Sequence, residues 1–229
     1  MSSNIATLYS ERYERQSPVH LYPVEFVVRA FLGKYPALKM DRTAYPGNRI
    51  LDLGYGDGRN MPLLQNLGFH VFGVEIHEDI GRSTQQRLQT LGIKATLAVG
   101  TNASIPFSDG FFQYALACHA FYYVQEGNQF DDNLREIYRV TAPGAPFVLS
   151  LPMTDGYLLE GAEPLGGGHV RIKRDPCGLR VGTIFRVFAS PDEIVQAFAP
   201  WFHDVQIGFT DDDFWGLRQR MWIVVCRRR

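Results

Sequence analysis

The stretch Ile50-Leu51-Asp52-Leu53-Gly54-Tyr55-Gly56-Asp57-Gly58-Arg59-Asn60 constrains this chain more than any other. An apolar run enters three glycines at alternate positions, and the spacing predicts a helix over Asn60 to Leu67. Glycines in such a turn permit positive φ and let a ligand approach the backbone, while the helix start offers free N–H groups. The next apolar run, His70 to Glu75, ends in an acid. A carboxylate at that place can accept hydrogen bonds from both hydroxyls of a ribose. A dinucleotide fingerprint would need its third glycine at position 59, where this chain has arginine. A nicotinamide-dependent oxidoreductase is therefore disfavoured.

Around this turn the pattern is one of alternation. Val24 to Tyr35 has helical apolar spacing and stops at Pro36. Strands are expected at Ile50 to Leu53, His70 to Glu75, Ala95 to Val99, Phe111 to Ala117 and Pro146 to Leu151. Helices are expected at Glu78 to Leu91 and Phe130 to Val140. Strands alternating with helices at this spacing imply right-handed βαβ units and a parallel sheet. Beyond Leu151 the alternation breaks. Residues 152–188 carry Gly166-Gly167-Gly168 and two period-two runs, His169 to Ile172 and Val181 to Phe188, which predict an inserted hairpin. Ser190-Pro191-Asp192-Glu193 reads as a capping box opening a helix. Two last strands, Asp204 to Phe209 and Arg220 to Cys226, are expected to enclose an acidic loop. One domain over 1–229 accounts for this: an N-terminal lid and helix (1–46), a ligand-binding core (47–151), the insertion (152–189), and a C-terminal helix with the last strands (190–229).

Composition narrows the class. With 23 Lys and Arg against 24 Asp and Glu, the net charge is −1, and no broad basic field suggests nucleic acid or an anionic membrane. The three cysteines are scattered, with no zinc spacing and no disulfide framework, so no metal is expected. The N-terminus lacks a signal-peptide core, and no apolar run is long enough to cross a bilayer. A cytoplasmic protein is the expectation.

The pattern Asp-x-Gly-x-Gly-x-Gly from Asp52 to Gly58 resembles the first motif of class I S-adenosylmethionine-dependent methyltransferases. The resemblance continues through Gly100-Thr101-Asn102-Ala103-Ser104-Ile105-Pro106-Phe107, Phe111-Phe112-Gln113-Tyr114, and Leu134 to Val140 followed by Ala142-Pro143-Gly144. It covers roughly residues 47 to 151. The Gly-x-Gly-Arg-Asn ending is also similar to the tellurite-resistance branch. The family implies an α/β fold: a Rossmann-like, seven-stranded, mostly parallel sheet with an antiparallel last strand, here carrying the inserted β hairpin. It implies S-adenosylmethionine as cofactor and S-adenosylhomocysteine as product.

Carried onto matching positions, the resemblance implies that Gly54 and Gly56 contact the methionine part through their backbone, with Tyr55 between them. Asp52 would orient the amino group, Glu75 would hold the ribose hydroxyls, and Ile76 would pack on the adenine. Thr101 and Asn102 fall where the family commonly has Asp-Ala, and Asn102 can offer a carbonyl acceptor instead. Cys118, the first residue after the fourth strand, completes the expected cofactor-binding set. Tyr55 and Gln113 depart from the usual small residue and acid.

Ligands of open parallel sheets bind outside the carboxyl ends of the strands. An acceptor is therefore expected among Cys118 to Tyr123, Pro152 to Tyr157 with the insertion, and Thr210 to Trp215, beneath a lid holding Tyr9, Tyr13, His20 and Tyr22. His119 is the first candidate base, since imidazole titrates near neutrality, and His20 the second. A core or pocket-wall role competes for each. Asp211-Asp212-Asp213 offers carboxylates for an amine or a metal, but a solvated turn explains the run more cheaply. Enzymes of the family that methylate adenine or glutamine amino groups carry an Asn/Asp-Pro-Pro-Tyr-like motif where this chain has Ala117-Cys118-His119-Ala120. The expectation is therefore methyl transfer to a small molecule (a hydroxyl, amine or carboxylate on a sugar-like or biosynthetic intermediate) by a monomer or homodimer. The competing readings are a non-catalytic binder or regulatory protein with the same fold, and a protein or small-RNA methyltransferase acting with a partner.

Overall fold

The computed structural model describes residues 7–9 and 21–229. Among them a seven-stranded sheet is built from β1 (Arg49–Leu53), β2 (His70–Glu75), β3 (Ala95–Val99), β4 (Tyr114–Ala117), β6 (Pro146–Pro152), β10 (Phe202–Phe214) and β11 (Leu217–Arg228). The spatial order is β10-β11-β6-β4-β1-β2-β3. β1 pairs in parallel with both β2 and β4, and β4 with β6. β11 is antiparallel to β6 and to β10, so it alone runs against the rest. Strand order reverses at β1 and β4, and the glycine turn leaves β1 at that switch point.

Helices cover both faces. Phe26, Val27, Ala30 and Phe31 of α1 (Glu25–Leu32) join Ile50, Leu116 and Val148 in one core. Met61 and Leu64 of α2 (Met61–Asn66) and Ile80 and Leu88 of α3 (Glu78–Thr90) pack in that same core. On the other face Phe130, Leu134, Ile137 and Val140 of α4 (Phe130–Val140) pack with Leu51, Leu53, Phe147 and Leu149. Side chains alternate across a strand. Asp52 and Ser150 therefore share the α1 face with Ile50 and Val148. All seven residues of β6 are buried, as a central parallel strand requires.

Three expectations are corrected in detail. The inserted hairpin is present, β8 (His169–Arg171) against β9 (Ile184–Arg186), but belongs to a four-stranded sheet, β5-β9-β8-β7. β7 is Glu163–Gly166, and β5 (Tyr123–Val124) comes from the segment leaving β4. Too short to show a period, β5 was invisible in the sequence. The acidic run is not a loop: Asp211 to Asp213 lie in β10, opposite Arg220 to Arg218 of β11. The turn is Trp215-Gly216, both at positive φ, as a two-residue hairpin prefers. Asp211 bonds the Arg218 guanidinium at 2.8 and 2.6 Å, so opposite charges across the ladder extend the strands. Ser190 does cap α5 (Pro191–Phe198), accepting from the Glu193 N–H, but the Glu193 carboxylate reaches past Ser190 to the N–H of Ala189 and to Arg186.

Candidate cofactor and acceptor site

The glycine turn is fixed on every side. Gly54 and Gly56 adopt φ of +69° and +54°, and the Gly54 N–H bonds Val74 O at 2.8 Å. A Cβ on Gly54 would lie 2.3 Å from Ala120 Cβ, so the turn and the segment leaving β4 meet where only glycine fits. From α3, Thr84 Oγ1 donates to Gly56 O and Arg87 to Asp57 O. Asp57 in turn holds the Arg59 guanidinium with both carboxylate oxygens. Arg59, which argued against a dinucleotide, thus braces the turn.

Glu75 closes the far side. Its two oxygens accept the N–H groups of Gly56 at 3.0 Å and Ile76 at 2.8 Å. Burial raises its pKa against those two bonds. Below it Asp52 is wholly buried, and neither carboxylate oxygen has a partner. Burial, reinforced by the charges of Glu75 and Asp57, pushes its pKa up to about 8. A buried carboxylate without a partner is costly unless a cation joins it. This orphaned acid beneath a glycine turn suits the ammonium of an amino acid moiety.

The other expected cofactor residues surround the same turn, though not all by their side chains. Tyr55 is only 4 % exposed, and its ring packs under Gly73 with the hydroxyl toward Gly81, which makes it a core side chain. Ile76 is 44 % exposed beside Glu75, as a wall for a planar ligand requires. Thr101 pairs with Ser104 through their backbones. Asn102 Nδ2 donates to the carbonyls of Ala120, Phe121 and Tyr123, and Asn133 Nδ2 to those of Phe121 and Tyr123. Two amides therefore clamp the segment after β4. Cys118 is half-buried, and burial with the nearby Asp52 charge raises its thiol pKa, so it is a poor nucleophile. Asn60 bonds that thiol and accepts the Val24 N–H at 3.1 Å, tying the chain before α1 to the turn.

His119 follows Cys118 with φ of +54°. Ser150 Oγ lies 2.9 Å from its backbone N and 3.1 Å from Nδ1, and Phe26 meets the imidazole edge-on at 5.6 Å. Burial, with help from the Arg180 and Arg59 charges, pushes its pKa down to about 4. At pH 7 the ring is neutral. Ser150 Oγ accepts the His119 backbone N–H and engages Nδ1, which leaves Nε2 as the ring nitrogen not committed to Ser150. His119 is one of the residues lining a cleft of about 680 Å³ between α1 and the β10–β11 hairpin, which Phe26, Leu38, Ile207 and Phe209 also line. His20 and Tyr13 lie outside the described residues. Tyr9 bonds the Tyr123 hydroxyl at 2.9 Å, and Tyr22 is exposed.

Sequence reading passed over Ser150, Asn133 and Arg180. Only Arg180 had a local signal, the turn-forming Asp175-Pro176-Cys177-Gly178 before it. Among the described residues no cluster of His, Cys, Asp and Glu could hold a metal ion, and no helix is long and apolar enough to cross a membrane.

The strand order and the glycine turn define the fold of the class I methyltransferases, whose cofactor is S-adenosylmethionine. Residues 50–144 match the family model described as a methyltransferase domain. Norajmaline N-methyltransferase from Rauvolfia serpentina is 29 % identical over 140 residues, 60 % of this chain and 46 % of that enzyme. The chain spans less than half the length of the curated relatives it matches. Among solved structures, an S-adenosylmethionine-dependent methyltransferase from Methanosarcina mazei superposes with a TM-score of 0.68 at 19 % identity, covering 92 % of this chain and 99 % of that one. TehB from Haemophilus influenzae gives 0.59 at 16 % identity, covering 96 % and 66 %.

Proposed function

We propose that this chain transfers the methyl group of S-adenosylmethionine to a small-molecule acceptor. The observation that carries the reading is Asp52, a buried carboxylate with no partner beneath a glycine turn whose N–H groups and neighbouring acid are already in place. When bound, S-adenosylmethionine supplies a methyl group on a positively charged sulfur, activated for in-line displacement. Asp52 ionises to pair the ammonium. Gly54 and Gly56 allow backbone approach, Glu75 accepts from the ribose hydroxyls, and Ile76 and Asn102 meet the adenine.

An acceptor placed over the ends of β4 and β6 lies beside His119. Because this imidazole is neutral and its Nδ1 engaged with Ser150, we assign it the orienting of the acceptor's nucleophilic atom, which is the main task in methyl transfer. A small acceptor is supported by the cleft, whose volume lies within the roughly 300–1,000 Å³ of ordinary ligand sites. It is supported also by the relative named for N-methylation of norajmaline. Incubation with methyl-labelled S-adenosylmethionine and a panel of hydroxyl, amine and carboxylate acceptors should yield labelled small molecules. Cofactor binding with label transferred to none of them would favour a non-catalytic binder.

A further inference from the structure

The inserted sheet brings one guanidinium to the carboxyl ends of the central strands. Asp175, whose side chain is wholly buried, accepts the N–H groups of Cys177, Leu179 and Arg180 at 2.9–3.0 Å. Those three bonds close the turn by themselves. The Arg180 side chain reaches Asp175 through a single contact, Nη1 to Oδ2 at 3.2 Å, and stays 20 % exposed, while its Nε is buried with no partner. Its charge also acts on the Tyr123 hydroxyl, which lies 2.9 Å from that of Tyr9.

Four phenols surround this cation closely enough for its charge to act on them: Tyr9, Tyr122, Tyr123 and Tyr157. Tyr122 and Tyr123 leave β4, their rings stacked at 5.0 Å, and Tyr157 follows β6. Burial raises the pKa of Tyr9, Tyr122 and Tyr123, so these hydroxyls remain donors. The same guanidinium charge reaches His119. A cation with an unpartnered N–H among neutral hydroxyls, near enough to His119 for its charge to act there, is built to take an anion.

We propose that Arg180, with the Tyr9–Tyr123 hydroxyls, binds a carboxylate on the acceptor and so restricts this enzyme to acids. The proposal rests on the methyltransferase reading and narrows its substrate class. Expressed with ¹⁵N-arginine and saturated with S-adenosylhomocysteine, the full chain can be titrated with benzoate and, separately, with its neutral isostere benzamide. The Arg180 Nε–H resonance, identified by its loss in Arg180→Lys or Arg180→Met, should move saturably with benzoate, half-maximally at about millimolar concentration, and stay still with benzamide. Tyr123→Phe should weaken benzoate several-fold. A resonance unmoved at about 50 mM benzoate, or moved equally by benzamide, would overturn the proposal. Equal S-adenosylhomocysteine affinity in wild type and Arg180→Lys would show that the cofactor reading stands whichever result appears. Failure of both proteins to bind it would overturn both readings.

Discussion

Asp52 and His119 respond to pH in opposite senses. The folded-state pKa of Asp52, about 8, lies above its ordinary 3.8. Its contribution to stability is thus complete below about pH 4 and is lost as pH rises through 8. His119 falls from 6.5 to about 4 when folded, so its contribution is complete above about 6.5 and is lost as pH falls toward 4. Asp52→Asn keeps the shape and removes the titration. Its melting temperature should gain on the wild type progressively between pH 4 and 8, while affinity for S-adenosylhomocysteine falls; a constant gap would contradict the shifted pKa. Binding should also release a proton from Asp52 at pH 7, visible in calorimetry as a heat that depends on the buffer's ionisation enthalpy and is absent in Asp52→Asn. For His119 an orienting role sets a limit: His119→Ala should lose about tenfold in kcat/KM, whereas loss of a general base would cost about 10²–10⁴-fold. Gly54→Ala, which needs positive φ and meets Ala120 Cβ, should destabilise by about 1–3 kcal/mol in denaturant unfolding.

Among the elements, the four-stranded sheet decides what lies over the strand ends. Phe185 of β9 is fully buried and touches the rings of Tyr122 at 4.7 Å and Tyr123 at 4.6 Å. Phe185→Ala should cost about 3–5 kcal/mol, measured by urea unfolding, and loosen the tyrosine pair with it. A cost below about 1 kcal/mol would mean the sheet is not packed on the segment after β4. In the main sheet β2, β3 and α4 fall on the bounds their residues predict. β4, expected from Phe111, begins at Tyr114 because Phe112 makes only an isolated bridge to Thr141, and the last two strands run past their expected ends. The pairing of β5 with β9 was not legible, because a two-residue strand has no period and its partner lies about sixty residues away. The site divides in the same way. Asp52, the glycines and Glu75 sit on one local turn and one strand end, and their motif shows. Arg180 and Ser150 reach the site only through tertiary placement, and no spacing announces them. Tyr55 shows the converse, a motif position whose side chain serves the core.

At the scale of the whole molecule, one sheet gathers the chain so that turns leaving β1, β2, β3 and β4 converge on a single edge. Seven strands in the order β10-β11-β6-β4-β1-β2-β3 place the switch point between β1 and β4, where neighbouring connections depart to opposite faces and leave a crevice. The proposed cofactor residues Asp52 and Glu75 end β1 and β2, whereas His119 and Tyr123 follow β4 and Arg180 comes from the insertion. On the proposed reading labour divides with topology: one half binds the cofactor, and the insertion, paired with β5, would select the acceptor. The most direct measurement is calorimetric titration of the full chain with S-adenosylhomocysteine, beside Glu75→Ala. Micromolar binding, weakened at least tenfold (about 1.4 kcal/mol) by the substitution, is the expected result. A folded wild-type protein that binds nothing at about millimolar ligand, or that binds equally well without the Glu75 carboxylate, would contradict the site described.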